Sequence, residues 1–433
     1  MRKPRLTDPL KRPLFRRLAT TYAVNELGDW MGIIALSVLV FDQTDSALAT
    51  AALFIGTRFL PALLAPLLVT RMEQPPPRFA LPVIYCGEAA AFGALALLAD
   101  DFSLAVVIVL ATIDGALALA GRSLTRAVVA ALLEPTGELR AGNAVLNVAF
   151  TGGAAIGPAI AGLVVAGVGV QAALLLDAAS FYLIAMILLT AGSLPHAEPE
   201  PGRMRERFRA GIAYIRGQTT LRRLLVAQGA AFVFFAAVLP IEVIYAKETL
   251  GAGDSGYGLL LASWGVGMVL GSFVFALARR TPLPLLLFFS TLAVGAGYLG
   301  LAVAPTLAVA CAASVLGGAG NGVQWVSAIS AVQELTPAGM QARVMSVLES
   351  TGAAMPGVGF LLGGLIATSF DPRTAFLVAG IGVFAIVAIA APVLGRKWIS
   401  DAVPIRPGEI DAADEVMVEL IPAEALSSLN RRS

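Results

Sequence analysis

Twelve stretches of mostly apolar residues follow one another along the chain, at roughly 18–41, 47–69, 79–99, 103–122, 143–167, 171–191, 224–246, 256–278, 283–303, 306–330, 343–368 and 374–394. Each is long enough to cross the ~30 Å hydrocarbon core of a bilayer as a helix. Lipid offers a backbone no hydrogen-bond partner, so only helices and closed barrels span it. Uninterrupted apolar runs of this length, without period-two alternation, select helices. Composition agrees, with 58% hydrophobic and 14% charged residues; soluble domains carry about 25% charge. The expectation is an all-α integral membrane protein with twelve transmembrane helices.

Charge sets its orientation. Seven basic residues, Arg2, Lys3, Arg5, Lys11, Arg12, Arg16 and Arg17, precede the first run, and no cleavable signal sequence is expected. Arginines then recur in every second loop: Arg71 and Arg78; Arg122, Arg126 and Arg140; seven from Arg203 to Arg223; Arg279 and Arg280; Arg343; and Arg396 with Lys397. The intervening loops carry Asp42, Asp45, Asp100, Asp101 and Asp254, with Lys247 and Arg373 as exceptions. The positive-inside rule puts both termini in the cytoplasm, and the plasma membrane is the expected location.

A polar linker over 194–223 divides the spans six from six. The expected organisation is an N-terminal six-helix bundle over 1–193, this cytoplasmic linker, a C-terminal bundle over 224–398 and a cytoplasmic tail over 399–433. Within the linker, Met204 to Ile215 reads as a basic amphipathic helix suited to the anionic inner leaflet. A net charge of +1 gives no nucleic-acid signal. Cys86 and Cys311 lie in apolar runs and build neither a disulfide framework nor a metal site, and His196 reads as a solvated loop residue.

The fifth run contains Gly153-Ala-Ala-Ile-Gly157-Pro158-Ala-Ile-Ala161-Gly162. Residues four apart share a helix face, so Gly153, Gly157 and Ala161 form a stripe of small residues. In lipid such a stripe lets another backbone come close. Pro158 removes one donor and crowds the carbonyl of Ala154, which predicts a kink. Displaced by 202 positions, Gly157 falls on Gly359, Gly162 on Gly364, Gly115 on Gly317 and Pro135 on Pro337. An internal duplication follows, with two pseudo-symmetric six-helix bundles.

These features resemble the major facilitator superfamily, whose antiporter motif in the fifth helix is similar to Gly153-x-x-x-Gly157-Pro158-x-x-x-Gly162. Leu27-Gly28-Asp29-Trp30 resembles the first helix of its drug–proton antiporter branch, which includes macrolide-efflux and enterobactin-exporter proteins. Asp177-Ala-Ala-Ser180-Phe181 resembles that branch's sixth helix, Glu248 to Gly258 the approach to its eighth, and Ala342 to Val347 the start of its eleventh. The resemblance covers nearly all of residues 14–395. It implies the major facilitator fold, two bundles around a central cavity, and secondary active transport by alternating access. One loop departs from the pattern. Between Ala65 and Arg78 the family's usual aspartate is missing while Arg71 and Arg78 remain, which implies a weaker or different latch between the halves.

Ionisable groups deep in a span are costly and therefore candidates for function. Counting ~1.5 Å per residue from the span ends puts Asp29, Arg58 and Asp114 near mid-membrane and Glu26 and Glu88 in the inner half. The same count puts Asp177 and Glu242 in the outer half, with Arg122 and Glu349 near the inner surface. Glu26 and Asp29 share a helix face, and two carboxylates so close in low dielectric resist ionising together. The proton-coupling candidates are therefore Glu26, Asp29, Glu88 and Asp114. The alternative for Asp29 is a permanent pair with Arg58 that locks the first two helices. Arg122 is expected to anchor a loop or packing rather than touch substrate, and Glu242 and Glu349 to snorkel at the interfaces.

Trp30, Phe54, Phe59, Phe234, Phe235 and Trp264 are candidates for an apolar cavity wall. No phosphate-binding loop is present, and Gly317-Gly-Ala-Gly320-Asn-Gly322 reads as helix packing. Without a histidine in any span, no nucleophilic triad forms there, so an enzyme is not expected. No cofactor is expected either; a proton gradient supplies the energy. The expected activity is proton-coupled efflux of hydrophobic or amphipathic small molecules by a monomer in the bilayer. The alternatives are a dedicated siderophore or metabolite exporter and, from another class, a membrane sensor or anchor that transports nothing.

Overall fold

The computed structural model describes residues 7–64, 75–192, 194–195, 204–278 and 281–401. The loop lacking its aspartate, His196 and the acidic tail beyond 401 lie outside these, as does the side chain of Glu349. Every regular element among the described residues is helical. The first spans are α1 (Pro13–Thr44), α2 (Ala47–Leu64), α3 (Pro77–Leu97) and α4 (Leu104–Leu133).

The next helical run, Leu139–Leu189, is 51 residues long and is broken at Gly169, whose φ of 85° and ψ of 167° are not helical. A straight helix of that length would reach over twice the hydrocarbon thickness. Its two arms, α5 and α6, instead double back. Gly153 packs against Glu26, while Asp177 packs against Gly28 and Gly32 one turn further along α1. The kink expected at Pro158 is therefore not the feature that shapes this run. The break falls at Gly169 because only glycine adopts that φ without strain.

An amphipathic helix α7 (Met204–Gly217) follows, as the linker pattern predicts. The second half comprises α8 (Thr219–Thr249), α9 (Gly253–Leu277), α10 (Leu283–Val303), α11 (Leu307–Glu334), α12 (Ala338–Ser369) and α13 (Pro372–Asp401). Among the described residues, eleven helical runs are long and apolar enough to cross a membrane, and the one folded at Gly169 supplies two spans.

Several spans outrun the apolar windows. Most consequentially, α4 continues well past Arg122, to Leu133. Arg122 ends the apolar run but not the helix. At the start of α1, Arg12 clamps Glu138 with two hydrogen bonds, Nε to Oε2 at 2.7 Å and Nη2 to Oε1 at 3.2 Å. That clamp holds the Glu138 carboxyl below the usual carboxylate range.

The first six and last six helices meet along α5–α9 and α2–α12. Pro158 denies the carbonyl of Ala154 its helical amide, and this carbonyl lies against Gly265 of α9. The carbonyl of Pro158 itself lies against Gly258. A Cβ on Gly162 would sit 2.8 Å from the Gly258 Cα. At the position related by the 202-residue repeat, a Cβ on Gly364 would sit 2.7 Å from the Ala51 Cβ on α2. The two glycines play the same part in the two halves: each lets its helix touch the opposite half. At this end of the bundle, away from the N-terminus, Lys247 of α8 bonds Asp42 of α1 and lies 2.8 Å from Asp254 of α9.

Candidate functional site

The first six helices enclose a polar cavity of about 80 Å³ lined by Asp29, Thr57, Arg58, Phe92, Asp114 and Arg122 among others. Asp29 is fixed by α1. Arg122 reaches it from α4, and its Nη2 donates to Asp29 Oδ2. Asn25, one turn earlier, donates to the same oxygen at 3.3 Å. The partner of Asp29 is thus Arg122, not Arg58. Arg122 neither sits at the inner surface nor anchors a loop, because α4 extends beyond it. Arg58 lies in a π-helical stretch of α2, Ile55–Phe59, and its side chain is exposed to the cavity.

Four further carboxyls crowd this pair. Glu26 is 2% exposed and Glu88 0%. Glu26 Oε1, both oxygens of Glu88 and Asp114 Oδ1 have no hydrogen-bond partner. Asp177 is fully buried, accepts from Ser180 Oγ at 3.4 Å, and leaves its Oδ2 unpartnered. These groups act electrostatically on one another and on Arg122 or Asp29, so they form one cluster. It brings together Glu26, Asp29, Glu88 and Asp114 and adds Asp177, which sequence counting placed nearer the outer surface.

A signal for Asp177 was present. Gly28 and Gly32 are one turn apart on α1, and a Cβ on either would lie 2.5 to 2.7 Å from an Asp177 carboxyl oxygen. Small residues there make room for the acid. The segments Leu27–Trp30 and Asp177–Phe181 are therefore one structure in space. Gly153 and Gly157 face this same helix: their Cβ atoms would lie 3.0 Å from Glu26 Cβ and 2.8 Å from Trp30 Cδ1.

The sequence matches the family model described as transmembrane secretion effector over residues 6–415. The chain belongs to that family, within the major facilitator superfamily. None of the curated proteins matches it in sequence. Solved structures give the same fold at low identity. The nucleoside transporter NupG aligns with a TM-score of 0.72 at 11% identity, covering 89% of this chain and 100% of that one. A bacterial homologue of the human lysosomal transporter Spinster, inward-facing and occupied, aligns at 0.71 and 14%, covering 92% and 100%. A bacterial homologue of the iron transporter ferroportin, inward-facing, aligns at 0.71 and 16%, covering 88% and 99%. The chain is a multi-pass membrane transporter of major facilitator type.

The six aromatics singled out in this transporter sit at helix contacts and do not line the polar cavity, whose aromatic wall is Phe92. Trp30 packs on Gly157, Phe59 on Gly357 and Phe234 on Gly382. Phe54 lies 5.5 Å from the Phe360 ring, and Phe235 lies 6.0 Å from Trp264. A second cavity, of about 170 Å³ and mostly apolar, opens between α8, α10, α11 and α13. Its polar groups include Gln228, Thr291 and Gln324, with Gln324 Nε2 donating to Thr291 Oγ1 at 3.2 Å.

Glu242 does not snorkel. It is 5% exposed, inside the contact between α8 and its neighbours. The span α8 begins at Thr219, and its outer part is covered by α1, so there is no interface for the carboxyl to reach.

Proposed function

We propose that this transporter exports hydrophobic or amphipathic small molecules in exchange for protons. The observation that carries the reading is the surplus of acids in the polar cluster. Five carboxyls, Glu26, Asp29, Glu88, Asp114 and Asp177, share one region with two arginines, Arg58 and Arg122. A surplus of buried carboxyls survives in lipid only if the excess is protonated. Such a cluster is a store of protons whose occupancy changes when water reaches it, and alternating access is a means of changing that. The Asp29–Arg122 bond fixes the guanidinium among the other carboxyls of the cluster.

The family's description as a secretion effector supports the outward direction. The mostly apolar cavity with a few amide and hydroxyl groups supports a greasy substrate, since such sites bind by apolar contact and orient through placed polar groups. The positive-inside pattern supports cytoplasmic termini. The contacts at the Asp42–Lys247 end then close the outer side and leave the polar cavity facing inward.

The test is a proteoliposome experiment with a hydrophobic dye as substrate and an imposed pH gradient. Uphill dye movement with matching proton counterflow is expected. Dye transport that ignores the gradient would refute proton exchange, and an absence of dye movement with a metabolite or siderophore moving instead would redirect the substrate class.

A further inference from the structure

The last six helices hold a second group of buried polar atoms that the proposed export cycle leaves unused. Glu242 on α8 is 5% exposed, and its Oε2 has no hydrogen-bond partner. Tyr298 Oη on α10 and Trp264 Nε1 on α9 are unpartnered in the same way. The Trp264 and Tyr298 rings stack with centroids 5.3 Å apart. Tyr298 and Tyr257 lie within electrostatic reach of Glu242 and are 0% and 1% exposed.

The charged groups nearby are all engaged elsewhere. Lys247, five positions along α8, is held by Asp42 and Asp254. Glu248 faces Asp45. Arg373 on α13 donates to the Ala302 carbonyl at 3.0 Å and lies over the Tyr245 ring at 5.9 Å. Tyr245 donates to the Leu301 carbonyl at 2.6 Å. Arg58, in the other half, acts on Tyr257 only electrostatically. Among the described residues, no cation is paired with Glu242. A buried carboxyl with neither a cation nor a full set of donors is stable only in its neutral form. The groups around it are neutral and buried, Tyr257, Tyr298 and Trp264, and offer a cation no second ligand, so the partner that suits this carboxyl is a proton.

Part of the cover over this group belongs to the opposite half. Residues Glu242–Ile244 contact α1, and Tyr257 lies beside Ser37 of α1. Parting the halves at this end removes that cover and also frees Lys247 from Asp42.

We propose that Glu242 is a proton-binding site whose protonation is required for the halves to close at the Asp42–Lys247 end. On opening, water reaches the carboxyl, its O–H bond breaks and the proton passes to solvent on that side. Closing takes one proton back. The linkage needs only alternating access and does not depend on which substrate is exported or on the cluster around Arg122.

The test uses the full chain in nanodiscs, without substrate or gradient. Cys86 and Cys311 are replaced by serine, and spin labels are placed on cysteines at the exposed positions Gln43 and Ser255. The closed-to-open ratio is expected to fall by about tenfold per pH unit over part of the range from about pH 5 to about pH 9, the slope of one linked proton. Glu242→Gln is expected to favour the closed form and to lose one proton's worth of the parent's slope, about tenfold per pH unit. Glu242→Met, which keeps the volume and removes the polar group, should behave alike. A parent protein with no pH dependence overturns the proposal, as does an undiminished slope in both variants. An undiminished slope in both variants leaves the export reading untouched, because that stands on proton counterflow during dye transport.

Discussion

Asp29→Asn removes the charge that holds Arg122 and leaves the shape of α1 almost unchanged. In the parent protein the Arg122 side chain is 24% exposed and that of Asp29 16%. Removing one partner of a fully buried pair costs ~3–5 kcal/mol, while exposed pairs contribute under ~1 kcal/mol. Residual exposure, and Glu26 close to the same guanidinium, place this pair between the two limits, at about 2 kcal/mol. That is roughly a 30-fold change in the unfolding equilibrium. The assay is unfolding in mixed micelles for Asp29→Asn, Arg122→Gln and the double variant. The two single losses are expected not to add, with a coupling of about 2 kcal/mol. A coupling below about 0.5 kcal/mol would mean that the contact is not a working bond. The same variant reports on function. If Asp29 carries the proton, Asp29→Asn still binds dye but no longer moves it uphill. A stable variant that retains coupled export removes Asp29 from both roles and passes the proton to Glu26, Glu88 or Asp114.

Two shorter predictions concern the halves and their orientation. Gly162→Leu is expected to wedge the halves apart, because a Cβ there already meets backbone at 2.8 Å (Gly258 Cα) and 2.9 Å (Asp254 O). Overpacking of ~1–3 kcal/mol corresponds to a roughly 5- to 150-fold shift from closed to open in the Gln43–Ser255 label distance; an unshifted distance sinks the reading of Gly162 as a gate contact. A cysteine at Arg209 on α7, in protein lacking Cys86 and Cys311, should resist an impermeant thiol reagent in intact cells and react after lysis. Labelling in intact cells would invert the topology.

What the sequence showed and what it hid divide along one physical line. Spans were legible because lipid forces each to be long, apolar and helical, and the fold at Gly169 falls between the fifth and sixth runs as expected. The relation between Gly162 and Gly364 was legible too, since both halves use a glycine where they touch the opposite half. Pairings between charges were not. The nearest basic residue by depth to Asp29 was Arg58, yet Arg122 takes it, because a charged residue inside α4 looked like the end of a span. The π-helical stretches Ile55–Phe59 and Tyr245–Thr249, which carry Arg58 and Lys247, have no compositional mark. Such bulges re-aim side chains through backbone hydrogen bonding that a hydropathy window does not sense.

The two groups of charges make different demands on a rocking motion. All five carboxyls of the polar cluster, with Arg58 and Arg122, sit on the first six helices, so the cluster moves as one body and none of its bonds has to break. What changes around it is water. The bond between Lys247 and Asp42 does cross the halves and does have to break. Yet Lys247 also lies 2.8 Å from Asp254, on its own half. It therefore keeps an acidic partner whichever way the halves stand, and opening strands no buried cation. A lone cross-half pair would raise the barrier by the cost of an uncompensated charge; a lysine shared between one acid from each half limits that cost to a change of partner. Glycine against backbone, as at Gly162 on Gly258, adds contacts at this end that are non-directional and have no side chains to lock, which suits surfaces that must meet and separate in every cycle.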